Sequence, residues 1–354
     1  MKSEQFSDYG EALCSHDYPT PVPEANQVLI KIDACGVCHS DIHVWEGYFD
    51  LGGDHKIDMR GSHKLPFTLG HEIAGEVVAC GDQSDANVGD KVIVYPWIGC
   101  GKCPLCKADK EHLCYQPKSL GIAVDGGFSD YVVVPDSKYL FPLKDLPAEL
   151  GCTYACSGVT AYSAIEQIKD IVQGRQLLII GAGGVGLSGL AVAKALLDCE
   201  IIVADIDESK RQLALDEGAD AVIDPRDQAA LGALIKRTYG GVAAAVDFVG
   251  SDRSAGFGVQ ALNKGSTLVV VGLFGGAMPL SVPILPLKAI TIKGSFVGSL
   301  SDMHALMALV HAGKIAPIKI SQRDMCCAHQ TLEDLRDGKV AGRVVLTPDT
   351  AGDK

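Results

Sequence analysis

Nine residues carry much of the reactive chemistry of the N-terminal region: Cys35-Gly-Val-Cys-His-Ser-Asp-Ile-His43. They hold two thiols, two imidazoles, a hydroxyl and a carboxylate. Two distant pieces answer them, Gly70-His71-Glu72 and Cys156-Ser-Gly-Val-Thr160. A thiolate, an imidazole and a second thiolate make a three-ligand zinc site with one position open. That is the pattern of a catalytic metal, whereas structural zinc takes four protein ligands. The first choice of ligands is Cys38, His71 and Cys156. On residue type alone, Cys35 is an alternative to Cys38 and Cys152 to Cys156. Glu72 reads either as an occasional fourth ligand or as a buried carboxylate behind the ligands. Asp41 is a candidate to accept a bond from His71 and hold its tautomer.

Cys100, Cys103, Cys106 and Cys114 form a second cluster, spaced C-x2-C-x2-C-x7-C. Four thiolates reach one ion at about 2.3 Å and fill a tetrahedron, leaving no place for substrate. The cluster reads as structural zinc. An iron–sulfur cluster is the weaker alternative, because no second cysteine group or Cys-Pro ending accompanies it.

The third signal is Gly181-x-Gly183-Gly184-Val185-Gly186. It lies between the apolar run Gln176–Ile180 and a helical stretch near 187–197, the context a dinucleotide fingerprint requires. Such glycines permit a tight turn and close backbone approach to a pyrophosphate, which the helix N-terminus then attracts. Asp205 stands 19 residues past Gly186 at the end of the next apolar run. A carboxylate there accepts from the ribose hydroxyls and repels a 2′-phosphate, favouring NAD over NADP. Lys210 reads as a second contact to that ribose or as a solvated helix lysine.

These groups need elements to position them. Residues 1–34 read as strand and turn, broken by Pro19, Pro21 and Pro23, with Val28–Ile32 alternating like a half-buried strand. A short helix is expected to begin at Asp41–Trp45. Tyr48–Lys64, rich in glycine, charge and histidine, reads as a long loop. Strands are expected at 73–80, 91–95 and 128–134. Beyond Cys152 the texture changes to helix at 159–168, then strands at 176–180, 200–204, 221–223, 243–249 and 267–271 alternating with helices. That alternation predicts a doubly wound parallel sheet. The last part is expected to hold a helix at 302–311 and a closing strand at 343–346.

The chain of 354 residues is long enough for two domains, and 47% hydrophobic against 21% charged content describes a globular protein. A net charge of −13 without a basic run argues against nucleic acid as a partner. The first residues, Met1–Asp8, hold no apolar signal-peptide region, and the longest apolar runs are too short to cross a membrane. Thirteen cysteines, among them a thiol cluster at two-residue spacing, point to metal binding in a cytoplasmic protein and not to disulfides.

Together these residues resemble the zinc-dependent medium-chain alcohol dehydrogenases. The resemblance runs through Gly36–Asp41, Gly70–Glu72, the four-cysteine lobe, Cys156–Thr160, Gly181–Gly186, Asp205 and Gly342-Arg-Val-Val345. It implies an α/β fold: a strand-rich GroES-like catalytic domain at 1–156 and 294–354, with a structural zinc lobe at 96–115, and a doubly wound Rossmann NAD-binding domain at 157–293. It implies two zinc ions per chain and NAD(H), with Cys38, His71 and Cys156 as the catalytic ligands. Ser40 would meet the alcohol oxygen, and the proton would pass through the nicotinamide ribose to His43. Thr160 would lie near the nicotinamide and Arg343 on the pyrophosphate, with His39 and Val271 also on the cofactor side. The implied reaction is reversible oxidation of a primary or secondary alcohol to an aldehyde or ketone, with a polyol dehydrogenase or another reductase as the alternative. A homo-oligomer, most simply a tetramer, is the family expectation. Phe49, Trp97 and Leu120 are candidate substrate walls by proximity to the motifs, or else ordinary core. The segment between Cys38 and His71 is longer than in many family members, and the extra length falls at 48–64.

Overall fold

The computed structural model describes residues 1–349; positions 350–354 of the segment assigned to the catalytic domain lie outside the described residues. Val28–Gly36 forms β1 and His39–Glu46 forms α1. The helix ends where Gly47 takes a left-handed φ of 80°, which glycine adopts without steric cost. Tyr48–Gly52 (β2) and His55–Asp58 (β3) then pair as an antiparallel hairpin, where the sequence reads as loop. The hairpin is largely solvated, so it lacks the apolar alternation that marks a strand. Its tip is decided by a distant contact: a Cβ on Gly52 would lie 2.3 Å from the Ala277 amide nitrogen.

Glu72–Cys80 forms β4 and pairs with β1 along its length. Ser157–Glu166 forms α2, immediately after Cys156. Gln176–Ile180 (β5) leads into Gly184–Leu196 (α3), and Glu200–Ala204 (β6) and Ala221–Ile223 (β7) follow. Val242–Asp247 (β8), Leu262–Val270 (β9) and Thr291–Gly294 (β10) complete a six-stranded, all-parallel sheet ordered β7-β6-β5-β8-β9-β10. The strand order reverses between β5 and β8, so a crevice opens at their carboxyl ends. A helix at Asp252–Ala261, unmarked in the sequence reading, is nucleated by a capping box between Ser251 and Ser254.

Leu300–His311 forms α4, and the chain returns through Ile320–Asp324 (β11) to Arg343–Thr347 (β12). β12 pairs antiparallel with β1, Val345 opposite Gly36 and Leu346 opposite Cys35. Both ends of the chain therefore share one sheet. Residues 128–130, expected as strand, precede a shorter strand at Tyr131–Val134.

The core explains why these elements hold. Leu177 and Ile179 of β5 join a buried cluster that continues through Ile165, Val159 and Cys156 into Ile73 and Val28. Leu178 and Ile180 join a second cluster with Ile202, Phe257 and Leu268. Successive strand residues point to opposite faces, so an unbroken apolar run is what a sheet covered on both sides needs. Among the described residues, no helix is long and apolar enough to cross a membrane.

Candidate active site

Two helix starts face each other. Cys38 is the N-cap residue of α1 and Cys156 that of α2. A helix N-terminus presents unpaired N–H groups and a partial positive charge, which favours a thiolate. The Cys38 amide donates to Asp41 Oδ2 at 2.8 Å, and Asp41 Oδ1 accepts from the Gly70 amide at 3.1 Å and meets His71 Nδ1 at 3.0 Å. Asp41 and His71 are both fully buried. With Nδ1 held by Asp41, Nε2 of His71 is the ring atom left, and it is buried with no partner among the described residues. Sγ of Cys38, a ring nitrogen of His71 and Sγ of Cys156 lie within 4.8 Å of one another.

Electrostatics fit the same picture. A hydrogen bond from Cys156 holds the Cys38 thiol well below its ordinary value, with help from Arg343 and His71 against the opposing effect of burial. The same bond pushes Cys156 up, as does its burial. Burial opposes protonation of His71, yet Asp41 and Cys38 outweigh it and raise the imidazole. Two thiols and an imidazole therefore converge. An orphaned buried Nε2 oriented by a carboxylate matches a zinc ligand set with its outer support. Cys35 and Cys152, the alternatives, are fully buried thiols pushed up chiefly by burial.

Glu72, also fully buried, accepts from Nε of Arg343 at 2.9 Å, from Nη2 of Arg343, and from the Ser157 amide at 3.0 Å. Both its oxygens are engaged, so of the two readings the geometry gives the buried carboxylate. Arg343 is correspondingly split. Its remaining face looks at the fingerprint, since a Cβ on Gly184 would lie 3.3 Å from Nη1. Sequence spacing missed this pair, because its members are 271 residues apart and sit in different segments of the chain.

The dinucleotide turn is a cradle that larger residues would fill. Gly181 has φ 93°, and a Cβ on Gly186 would lie 1.8 Å from the Gly181 carbonyl oxygen. Around Gly183 there is open space, and no side chain caps α3, which begins at Gly184 and carries Val185 and Gly186 in its first turn. These bare amides suit a pyrophosphate. Asp205 is pinned by the Ala182 amide on Oδ2 at 2.8 Å and by the Asp207 amide on Oδ1 at 2.9 Å. The Lys210 side chain is half-buried one turn further on. Thr160 Oγ1 is buried without a partner among the described residues, and Val271, just past β9, donates through its amide to the Asp247 carbonyl.

Ser40 and His43 lie on one face of α1, three residues apart. Both are half-buried, and His39 beside them is exposed. Burial holds the His43 ring below 6.5, and the Leu273 carbonyl is a counteracting hydrogen-bond partner. Phe49 packs against His43 with the rings tilted and their centroids 4.7 Å apart. Trp97 is the aromatic that reaches the ligands, 5.4 Å from the His71 ring, with its Nε1 bonded to the Ala155 carbonyl. Leu120 is buried in the main core. Phe296, 6.0 Å from Trp97, had no sequence signal.

In the lobe, Cys100, Cys103, Cys106 and Cys114 also converge within 4.8 Å. Cys103 Sγ lies 3.5 Å from Cys106 Sγ and 3.8 Å from Cys114 Sγ. Sulfurs about 2.3 Å from a common ion stand about 3.8 Å apart in a tetrahedron, far beyond a disulfide bond. The amides of Cys106, Cys100 and Gln116 point at these sulfurs, and the Cys106 amide is the main reason that Cys103 is pulled down to about 6.

A candidate three-ligand metal site together with a dinucleotide cradle is the arrangement of a nucleotide-dependent, metal-assisted dehydrogenase. Comparison with known proteins narrows the class. Residues 24–145 match the alcohol dehydrogenase GroES-like domain, and 184–312 match the zinc-binding dehydrogenase domain. The chain is 38% identical to an NAD-dependent alcohol dehydrogenase of Sulfurisphaera tokodaii, over 98% of this chain and 100% of that one. It is 31% identical to a D-arabinose 1-dehydrogenase (NADP(+)) of Saccharolobus solfataricus, over 98% and 97%. The alcohol dehydrogenase structure from Aeropyrum pernix superposes with a TM-score of 0.88 at 28% identity, covering 98% of this chain and all of that one. The protein belongs to the zinc-dependent medium-chain alcohol dehydrogenases, and it is an NAD-dependent oxidoreductase.

Proposed function

We propose that the protein reversibly oxidises a primary or secondary alcohol to an aldehyde or ketone with NAD, at the site of Cys38, His71 and Cys156. The observation that carries this reading is the buried, unpartnered Nε2 of His71 set between two thiols. These three residues would hold one zinc, and Cys100, Cys103, Cys106 and Cys114 a second, structural one. Residues 1–156 and 294–354 form the catalytic unit in this reading, and 157–293 the cofactor unit. The working form is a cytoplasmic homo-oligomer, a tetramer by family expectation.

When bound, zinc supplies a Lewis acid that acidifies a hydroxyl and NAD supplies the hydride acceptor. The chain's own residues do the rest. Asp41 fixes the His71 tautomer, so Nε2 is available as a ligand. Ser40 would accept the substrate hydroxyl's hydrogen bond and relay its proton, giving up its own hydroxyl proton in the same step. His43, whose burial disfavours the charged imidazole, would receive the relayed proton and return it to water. Thr160 Oγ1, buried without a partner among the described residues, would orient the nicotinamide, and the side chain of Asp205 would accept from the adenosine ribose. Trp97, buried beside the His71 ring, excludes water from the reacting centre.

A second reading, oxidation of a sugar or polyol hydroxyl, draws support from the 31% identity to the D-arabinose enzyme. One experiment separates them: metal content together with NADH formation across primary, secondary, benzylic and polyol substrates. Near two zinc per chain and metal-dependent turnover of a simple alcohol is the expected result. One zinc and no turnover would remove the proposed site, and turnover of polyols alone would select the second reading.

A further inference from the structure

The hairpin of β2 and β3 touches both sides of the crevice. Its root is the C-terminal end of α1, the helix that carries Ser40 and His43. The Gly47 amide donates to the His43 carbonyl at 2.9 Å, and the Met59 amide closes the hairpin on the Gly47 carbonyl at 2.8 Å. Its tip, shaped by the Gly52 amide donating to Asp50 Oδ1 at 2.8 Å, rests on the loop that follows β9. The approach is backbone to backbone. A Cβ on Gly52 would stand 2.3 Å from the Ala277 amide nitrogen and 2.6 Å from the Gly276 carbonyl carbon. From the other side, a Cβ on Gly275 would stand 2.8 Å from Cβ of Asp50. Glycine on both faces lets the two segments meet this closely. Around Gly53, the next residue, there is open space.

The loop under the tip is tied to the cofactor side. The amides of Val271 and Gly272 donate to the Asp247 carbonyl at 2.8 and 3.1 Å, and the Gly275 amide donates to the Gly250 carbonyl at 3.0 Å. These bonds fasten it to the turn after β8, at the carboxyl ends of the parallel strands. Val249 of that turn abuts the dinucleotide turn: a Cβ on Gly181 would stand 2.7 Å from Val249 Cγ2. The same loop reaches back to α1, since the Leu273 carbonyl is a hydrogen-bond partner of His43. Phe49 of β2 packs against that imidazole as well. A line of contacts therefore runs from α1 through the hairpin tip to the dinucleotide turn, separate from the one through Glu72 and Arg343.

We propose that the hairpin is a clasp across the cofactor crevice, with Gly52 and Phe49 as positioning residues. Seated on Gly276 and Ala277, the tip holds the loop and the turn after β8 against α1, and it must lift before the cofactor leaves. With the loop seated, the Leu273 carbonyl and the Phe49 ring fix the His43 imidazole. The Gly52 role needs only the NAD dependence of the enzyme; the Phe49 role rests on the proposed alcohol oxidation and its relay.

The test measures NADH dissociation from the zinc-loaded enzyme by stopped-flow displacement with excess NAD, with no alcohol present. Gly52→Ala drives a methyl into the Ala277 backbone and should speed NADH release by about tenfold. Gly53→Ala is its control, because both glycines have left-handed backbones, φ 86° and 60°, and only Gly52 has a neighbour; it should leave release unchanged. A truncation with a two-residue Asn-Gly turn in place of Leu51–His55 removes the tip without strain at Gly52, and it should speed release as Gly52→Ala does. Phe49→Ala should leave release unchanged and lower kcat/KM by about ten- to a hundredfold, equally for small and large alcohols, with Phe49→Tyr restoring it. Unchanged release in both Gly52→Ala and the truncation, or equal acceleration in Gly53→Ala, would overturn the clasp. A loss in Phe49→Ala that varies with alcohol size would make Phe49 a substrate wall and overturn its positioning role. Accelerated release in an enzyme that oxidises no alcohol would overturn the alcohol reading and leave the clasp standing.

Discussion

Replacing Arg343 with methionine keeps much of the apolar stem and removes the charge. It leaves the Glu72 carboxylate, with no solvent exposure, holding the Ser157 amide alone. Breaking a buried pair by removing one partner costs roughly 3–5 kcal/mol, because the other charge stays desolvated and uncompensated. At 1.4 kcal/mol per tenfold, the smaller figure shifts the unfolding equilibrium by about a hundredfold. Glu72→Gln strands the guanidinium, 5% exposed, at a similar cost. The double variant Glu72→Gln/Arg343→Met removes both charges and leaves one amide imperfectly paired, about 1–3 kcal/mol. The losses should therefore be strongly non-additive, with a coupling of about 2 kcal/mol or more. Urea unfolding at fixed free zinc reads this directly, because Trp45 and Trp97 are both buried in the strand-rich half. A separate readout is built in. Arg343 Nη1 faces Gly184 of the fingerprint, so NAD affinity should fall in Arg343→Met and stay low in the double variant, even where stability recovers. Additive losses, with Arg343→Met costing under about 1 kcal/mol, would refute the reasoning and mean that water reaches the pair.

Three further outcomes follow from the geometry. His43 is held below 6.5 by burial, and its neutral form is the proton acceptor; wild-type kcat/KM should be flat near pH 7 and fall as pH drops through that lowered value. His43→Ala should lower the plateau by about 10²-fold and abolish the inflection, and a retained inflection in pH-rate profiles would exclude the relay. Gly186→Ala puts a methyl 1.8 Å from the Gly181 oxygen, so equilibrium dialysis should find NAD binding lost while zinc content holds; normal binding would contradict the cradle. Cys103→Ser should remove about one zinc per chain by mass spectrometry and leave NAD affinity intact, and unchanged metal content would mean that the lobe does not hold a structural ion.

The parallel sheet was legible because each central strand is apolar on both faces. Gln176–Ile180 divides its side chains between two cores, and a run of this kind has few other uses. The hairpin at Tyr48–Asp58 was not legible. Its strands are paired by a backbone register and a tip seated on Gly276 and Ala277, contacts some 225 residues away that leave no local period. The helix at Asp252–Ala261 was hidden for another reason: two glycines lower its propensity, and its start depends on Ser251 and Ser254 bonding each other's amides.

The site divides along the same line. Cys100–Cys114 could be read as a unit because a local loop brings all four thiols together. Cys38, His71 and Cys156 could be nominated but not chosen over Cys35 and Cys152, since residue type does not say which thiol stands at a helix start. The helix starts favour the proposed ligands. Cys38 begins a helix in the strand-rich half, and Cys156 begins the helix that leads into the cofactor sheet. Each sulfur thus takes the positive end of a different helix, and Asp41 ties the first of these to the imidazole between them. Glu72 ties the second, through the Ser157 amide, and hands the connection to Arg343 and so to Gly184. The proposed metal ligands and the nucleotide cradle are therefore joined by buried hydrogen bonds through Glu72 to Arg343 and by the approach of Arg343 to Gly184, residues far apart in the chain. A change at any one of them reaches both sites, which is why the stability and the cofactor affinity of Arg343 variants must be measured together.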